Sequence, residues 1–161
     1  SLTVLQALED GLKRAEADPS VKAIMICGEN GKFSAGKTFF IKHKLRKIME
    51  IAALIKLELA CIKRVPVPSI AAGGGLEVAL DCHYRIAHVK ARIGLPEVTI
   101  GLLPAAEGTQ RLPRLIGVPA AIDMITTGRH IPAIEALKLG LVDEVVEENI
   151  AEAAIRLANK M

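Results

Sequence analysis

Aromatic side chains are almost absent from this chain, and their scarcity narrows the classes of protein to consider. The 161 residues include one Tyr, three Phe and no Trp. Proteins that bind single-stranded nucleic acid usually stack the bases on aromatic rings. The composition therefore argues against a base-stacking surface, and we expect no nucleic-acid partner.

Cysteine and histidine are also few, and they form no ligand pattern. The three cysteines, Cys27, Cys61 and Cys82, are widely spaced and include no CxxC pair. This predicts small buried thiols in a reducing compartment rather than disulfides. Histidine occurs only at positions 43, 83, 88 and 130, without metal-ligand spacing. We therefore expect no metal site.

No long uninterrupted apolar run is present. The most apolar stretch, Ile48 to Ile62, contains Glu50, Lys56 and Glu58. It is too short and too charged to cross a bilayer. The first residues already have a helical pattern, so we recognise no signal peptide there. These features predict a protein without a membrane span.

Positive charge is concentrated in one segment. Residues 37–64 contain eight Lys or Arg against two Glu, whereas the whole chain has a net charge of only +3. One interpretation is a solvated helix face. The other is a surface that attracts a phosphate-bearing ligand.

Apolar spacing predicts alternating helices and strands, and hence an α/β domain. About half of the residues are apolar, enough for a substantial core. The predicted helices cover residues 2–17, 38–63 (one or two helices), 76–82, 109–115, 120–126, 134–139 and 150–160. The predicted strands cover residues 21–27, 69–72, 84–88, 93–95 and 141–146.

One short motif favours nucleotide binding. Residues 31–38, GKFSAGKT, match the P-loop pattern GxxxxGK[ST] between a predicted strand and a predicted helix. In a P-loop, Lys37 would contact the terminal phosphates and Thr38 would bind Mg²⁺. The later stretch GGGLEV does not fit a dinucleotide-binding fingerprint, because Val78 stands where Gly or Ala is needed.

Several ordered motifs after residue 72 carry a more specific resemblance. They read GGGLE, CHYRIA, GLPEV, GTQRLPRL and EALKLGLVDEVV. Together they resemble the enoyl-CoA hydratase/isomerase (crotonase) family, and most closely the hydratase domains of its peroxisomal bifunctional enzymes. The resemblance implies a crotonase-like (ClpP/crotonase) fold of stacked ββα turns over residues 1–161.

The same resemblance implies an activity and a pair of catalytic residues. Family members hydrate 2-trans-enoyl-CoA to 3-hydroxyacyl-CoA reversibly in fatty-acid β-oxidation, and some move the double bond of 3-enoyl-CoA. Hydration needs one group to activate water and one to protonate C2. The family motifs place these groups at Glu77 and Glu97. Without the family motifs, Glu77 would be interpreted as a glutamate that stabilises the start of a helix, and Glu97 as a surface residue.

The resemblance also implies an oxyanion hole for the thioester oxygen. Its backbone N–H donors would be Gly74 and the residue after Gly36, which here is Lys37, with Ala35 and Gly73 beside them. CoA would enter as part of the substrate, without a metal or redox cofactor. Family members form trimers or hexamers, or are fused to a 3-hydroxyacyl-CoA dehydrogenase. We expect a peroxisomal location, with the bacterial cytoplasm and the mitochondrion as alternatives. A non-catalytic RNA-binding relative is a further alternative for the function.

The chain departs from the family pattern at three points. Lys37 follows Gly36 where a small residue and an aspartate are usual, and Gly73 follows Ala72 where the family has several more residues. We therefore expect missing segments after Gly36 and after Ala72, in a domain incomplete at both ends. Finally, LPAAEGTQ places Ala105 and Glu107 where glycines are common. Glu107 would either begin a helix, facing solvent, or add a third carboxylate.

Other charged residues receive no catalytic role. We interpret Arg92, Arg111 and Arg114 as surface or ion-pair residues, and Asp81 and Asp143 as structural.

Overall fold

The structure is a computed structural model that describes residues 2–21, 23–26, 65–67, 70–72 and 74–159. Helices and strands alternate along these ranges, which confirms the predicted α/β class. The helices are α1 (Leu2–Ala17), α2 (Gly74–Leu80), a 3-10 helix (Pro96–Ile100), α3 (Gly108–Ile116), α4 (Val118–Thr127), α5 (Ala133–Lys138) and α6 (Ile150–Asn159). The strands are β1 (Val65–Val67), β2 (Ile70–Ala72), β3 (Arg85–His88), β4 (Arg92–Gly94), β5 (His130–Pro132) and β6 (Glu144–Val146).

The described strands form two small sheets. In the first, β3 lies between β1 and β6, and all three strands are parallel. In the second, β4 lies between β2, to which it is parallel, and β5, to which it is antiparallel. The chain therefore passes from one sheet to the other between β1 and β2 and again between β3 and β4, as stacked ββα turns require.

One main hydrophobic core joins the second sheet to the helices that follow it. It contains residues of α2, β4, α3, α4, β5 and α5. The largest fully buried side chains of the described residues are Leu76, Ile86, Ile93, Leu95, Leu112, Met124, Ile131 and Leu141. Removing so much apolar surface from water is the main contribution to folding free energy. None of these buried side chains is aromatic.

Most element boundaries agree with the sequence patterns, and the exceptions have local causes. Helix α1 spans the predicted residues 2–17. Of the described residues in the next predicted strand, 21 and 23–26, only Met25 forms a β-bridge. The sequence patterns did not predict β1, β5 or the 3-10 helix. Each has only three to five residues and contains a proline, so neither length nor alternation indicated it.

The helices predicted for residues 38–63 lie outside the described residues, as do Cys27 and Cys61. Cys82 is free and buried, as predicted for a small apolar thiol. Burial raises the pKa of its thiol to about 12. Cys82 is therefore protonated, and unreactive, at neutral pH.

A buried arginine ties the first sheet to the segment that precedes β6. The guanidinium of Arg85 donates hydrogen bonds to the carbonyl oxygens of Leu141, at 2.8 Å, and of Cys82. The backbone N–H of Arg85 donates to Asp143 Oδ2 at 2.7 Å, and the Asp143 N–H donates back to the Arg85 carbonyl at 2.8 Å. The structural role predicted for Asp143 is confirmed.

The variant Arg85→Met tests this junction. It leaves two buried carbonyls without their donor and removes the guanidinium that lies 3.4 Å from Asp143 Oδ2, so we expect a loss of about 2–4 kcal/mol in the free energy of unfolding. The measurement is urea unfolding. Arg92→Met is the matched control, because Arg92 is exposed and donates one long bond, 3.3 Å, to the His130 carbonyl. The control should change stability by less than about 0.5 kcal/mol. Equal losses in both variants would contradict the assignment.

Candidate active site

The second sheet brings the two predicted glutamates to the same edge. Strands β2 and β4 are parallel neighbours, with Ala72 opposite Gly94. The segment after β2 begins α2, which carries Glu77 in its first turn, and the segment after β4 begins the 3-10 helix, which carries Glu97. Carboxyl ends of parallel strands meet at one edge of a sheet, where ligands of α/β proteins commonly bind. The glutamates therefore reach one site from two directions.

Glu77 is buried and is held by backbone donors. Its residue is 6% exposed, and its Oε1 atom accepts hydrogen bonds from the N–H groups of Ala106, at 2.8 Å, and Gly108, at 3.0 Å. Burial raises the pKa of Glu77 to about 6. The two N–H groups oppose this rise, and the nearby charge of Glu97 adds to it. Glu77 therefore titrates close to neutral pH, as acid–base groups do.

Glu97 is buried without such donors. It is 2% exposed, and neither of its carboxyl oxygens has a hydrogen-bond partner in the part of the chain that the structure describes. Burial raises the pKa of Glu97. A buried carboxyl group without a partner is costly to ionise. The surroundings of both glutamates thus favour the protonated form, and the two sites differ in the backbone donors that only Glu77 has among the described residues.

The walls around Glu77 leave no room for a larger residue at position 108. A Cβ atom added to Gly108 would lie 2.8 Å from Glu77 Oε1, 2.9 Å from Pro104 Cβ and 3.1 Å from Leu95 Cδ1. The glycine thus lets the backbone N–H approach the carboxylate closely. The side chains of Leu95 and Pro104 make this part of the site apolar, which accounts for the desolvation of Glu77.

A second close contact supports the 3-10 helix that carries Glu97. Gly128, at the end of α4, has a φ of +67°, and a Cβ there would lie 2.9 Å from Thr99 Cγ2 and 3.1 Å from Val98 Cγ1. Inside the 3-10 helix, the Thr99 hydroxyl donates to the Pro96 carbonyl at 2.7 Å. The position of Glu97 is therefore set by α4 as well as by β4.

The turn that donates to Glu77 contains a strained residue. Glu107 has a φ of 69° and a ψ of 9°, and it is the one non-glycine residue with positive φ in the described ranges. This conformation costs about 1 kcal/mol for a residue with a side chain. Two N–H groups that flank a left-handed residue converge on one anion. The strain thus accompanies the geometry that binds the Glu77 carboxylate.

An arginine holds this turn against the helix that carries Glu77. Arg111 Nε lies 3.0 Å from Glu107 Oε2, and Arg111 Nη2 pairs with Asp81 Oδ1. The predicted helix start at Glu107 is confirmed, but its partly buried carboxylate contacts Arg111 instead of simply facing solvent. The predicted ion-pair role of Arg111 and the structural role of Asp81 are confirmed as well.

Part of the predicted site falls outside the described residues. These are Ala35, Gly36, Lys37 and Gly73, together with the P-loop match at 31–38 and the whole basic segment at 37–64. Gly74, the other predicted oxyanion donor, is the first residue of α2. The structure therefore brings together Gly74, Glu77 and the edge that carries Glu97, and the remaining site residues stay predictions.

The described residues contain no group of three or more His, Cys, Asp or Glu that could hold a metal ion. Among those same residues, no helix has the length and apolar character needed to cross a bilayer.

Sequence reasoning missed the backbone donors of Ala106 and Gly108 and the role of Arg111 beside them. A backbone N–H carries no sequence signature of its own. The signal in the sequence was Glu107, which stands where a glycine is usual. It directly precedes Gly108 and lies four residues before Arg111. A helical pair at this spacing is a recognised ion-pair pattern.

The raised pKa of Glu77 predicts a pH dependence of stability. Because the pKa rises from 4.5 to about 6 on folding, the native state binds this proton more tightly than the unfolded chain does. The resulting stabilisation is complete below pH 4.5 and is lost as the pH rises through 6. Glu77→Gln removes that loss. As the pH rises from 4 to 7.5, the free energy of unfolding of Glu77→Gln should therefore increase by about 2 kcal/mol relative to that of the original chain.

Urea unfolding at several pH values measures this difference. Glu152→Gln, which removes an exposed glutamate on α6, is the matched control. A Glu77→Gln difference that stays constant from pH 4 to pH 7.5 would show that the Glu77 carboxylate is not desolvated by the fold.

This chain matches one protein-family model and is similar to several known proteins. Residues 1–161 match the family model described as "Enoyl-CoA hydratase/isomerase". The chain is 52% identical over 162 residues to the peroxisomal bifunctional enzyme of Danio rerio. The aligned region covers 99% of this chain and 23% of that protein. The chain is 51% identical over 170 residues to the peroxisomal bifunctional enzyme of Homo sapiens, again covering 23% of the relative. It thus spans about a quarter of the length of these curated relatives.

A solved structure gives the same result for the fold. The enoyl-CoA hydratase from Bacillus anthracis superposes with a TM-score of 0.87 at 34% sequence identity, over 99% of this chain and 66% of that one. The crotonase-like fold expected from the motifs is therefore confirmed. Since the family model matches the whole sequence and solved hydratases share the fold, this chain belongs to the enoyl-CoA hydratase/isomerase family.

Proposed function

We propose that this domain catalyses the reversible hydration of 2-trans-enoyl-CoA to 3-hydroxyacyl-CoA. The observation that carries the proposal is a pair of buried glutamates whose surroundings differ. Glu77 accepts two backbone hydrogen bonds, and Glu97 accepts none from the described residues. Two carboxyl groups held in different surroundings can act as base and acid in one reaction.

The following division of roles is part of the proposal, and the two backbone donors at Glu77 support it. Glu77, stabilised as a carboxylate by the N–H groups of Ala106 and Gly108, takes a proton from water as its oxygen bonds to C3. The electron pair of the C2–C3 double bond moves toward the thioester, and the resulting enolate collapses as C2 takes a proton from Glu97. Desolvation of Glu97 favours the protonated form that this step consumes.

Negative charge that develops on the thioester oxygen needs backbone donors. We assign one to the N–H of Gly74, where α2 begins, and the second to the residue that follows Gly36, which is Lys37 in this sequence. The assignment follows the family motifs, with Ala35 and Gly73 beside the donors. CoA takes part as a portion of the substrate, and the proposed reaction uses no metal or redox cofactor.

The names of the relatives support a proposal for the biological setting. The two curated relatives described above are named peroxisomal bifunctional enzymes, and an Arabidopsis thaliana relative that is 39% identical is named a peroxisomal fatty acid beta-oxidation multifunctional protein. We place the domain in peroxisomal β-oxidation, fused to a 3-hydroxyacyl-CoA dehydrogenase. Isomerisation of 3-enoyl-CoA to 2-enoyl-CoA is a second activity that the same acid supports.

Single substitutions of the glutamates test the division of roles. Glu97→Gln keeps the side-chain shape but removes proton transfer at C2, which hydration and isomerisation both need. Both activities should fall by at least about 10²-fold to 10⁴-fold. Glu77→Gln should lower hydration by a similar factor and leave more of the isomerisation. The assays are crotonyl-CoA hydration and 3-enoyl-CoA isomerisation. They are measured on a protein that includes the segments expected after Gly36 and after Ala72.

Two outcomes would change this assignment. Normal isomerisation by Glu97→Gln, with isomerisation lost in Glu77→Gln, would reverse the roles. Unchanged hydration in both variants would mean that the carboxylates are structural, and the proposed activity would fail. The losses need not add in the double variant, because both residues act on one substrate.

Ligand binding gives an independent test of the substrate class. Acetoacetyl-CoA should raise the thermal unfolding temperature of the protein, since a ligand that binds only the native state stabilises it. Gly74→Val, which places a branched side chain at the proposed oxyanion donor, should weaken this stabilisation. Stabilisation by Mg-ATP without any response to acyl-CoA would favour the P-loop interpretation of residues 31–38 instead.

A further inference from the structure

The carboxylate of Glu77 and its two donors belong to different elements. Glu77 lies on α2, whereas Ala106 and Gly108 lie in the turn that begins α3. Their hydrogen bonds of 2.8 and 3.0 Å form only if this turn is held at a fixed distance from α2. Whatever links the two elements beside Glu77 therefore controls the surroundings of that carboxylate.

Arg111 makes this link. It lies on α3, and its guanidinium contacts Asp81, directly after α2 and four residues beyond Glu77. The same guanidinium contacts Glu107, the residue between the two donors. The Arg111 N–H also donates to the Glu107 carbonyl at 2.8 Å. The contacts thus close a ring that runs from Glu77 through Asp81, Arg111 and Glu107 back to the donors.

From this ring we infer that Arg111 is a positioning residue for Glu77. By holding Asp81 and Glu107 together, it keeps the N–H groups of Ala106 and Gly108 on the Glu77 carboxylate. The inference rests on the proposed hydration reaction and adds to it a residue that does not touch the substrate.

The burial of the pair distinguishes it from an ordinary surface ion pair. The side chain of Asp81 is 5% exposed and that of Arg111 is 23% exposed. A planar guanidinium can contact two carboxylates in fixed directions, which a lysine ammonium on a flexible stem does less well. The ring also holds Glu107 in its left-handed conformation, which a side chain otherwise disfavours.

Loss of the ring has a consequence that a purely structural role would not have. Without its N–H donors, the carboxylate of Glu77 loses the stabilisation that opposes burial, while the charge of Glu97 still acts on it. The pKa of Glu77 should then rise further. As base, Glu77 must be ionised, so the acidic limb of the pH–rate profile should move to higher pH.

The experiment compares Arg111→Met with Arg114→Met. Arg114 is an exposed arginine of the same helix that donates to Gln110 one turn earlier, so it is the matched control. For Arg111→Met we expect kcat for crotonyl-CoA hydration to fall roughly tenfold to a hundredfold with KM little changed, because the base is misplaced. The acidic limb should shift upward. Arg114→Met should keep the original kcat and pH profile.

A measurement without substrate separates this inference from the proposed function. NMR titration of the ¹³C-labelled Glu77 carboxyl group should show a higher pKa in Arg111→Met. If that shift is seen in a protein that does not hydrate enoyl-CoA, the positioning role stands and the proposed function fails. If the original protein is active but Arg111→Met keeps its kcat, pH profile and Glu77 titration, the inference is overturned and the function stands.

A milder variant covers the case in which Arg111→Met does not fold. Arg111→Lys keeps the charge and the aliphatic stem but not the planar fork, so it should show a smaller shift in the same direction. Glu107→Gly relieves the left-handed strain and removes one contact of the ring while leaving Asp81 paired. A titration of Glu77 that is unchanged in both variants would contradict the positioning role.

Discussion

Burial of two carboxyl groups at one sheet edge is the constraint on which the site depends. Each glutamate costs free energy to ionise in apolar surroundings, and each charge makes the other more costly. The fold offsets this cost unequally, with two N–H donors on Glu77 and none from the described residues on Glu97. The pKa of both groups is raised, and the two differ in the donors around them. The proposed division into base and acid rests on this difference.

The placement of those donors connects local strain to electrostatics. A left-handed residue between Ala106 and Gly108 turns both N–H groups to one side. Glycine would adopt that conformation without strain, yet the chain has Glu107, whose side chain contacts Arg111. The side chain that makes this turn unfavourable in isolation thus also attaches the turn to the rest of the molecule through its carboxylate.

Patterns of several residues were predictable from the sequence, whereas single close contacts were not. The spacing of leucines predicts α1 over 2–17, and the ordered motifs predict the family and the glutamate pair. Strands β1 and β5 have three residues each and include Pro66 and Pro132, so pairing with a neighbour, rather than propensity, makes them strands. Register has the same origin, because Ala72 lies opposite Gly94 only once β2 has paired with β4 in the second sheet.

The hydrogen bonds at Glu77 show why a site can be recognised before its mechanism can be derived. A motif identifies a carboxylate by residue type, but its protonation depends on groups 29 and 31 residues away in the chain. Those groups are main-chain N–H groups, which every residue except proline possesses. Only their orientation, set here by the φ of Glu107 and the contacts of Arg111, distinguishes them. The proposed acid–base chemistry therefore depends mainly on the geometry of one turn, which contacts between neighbouring charged side chains hold in place.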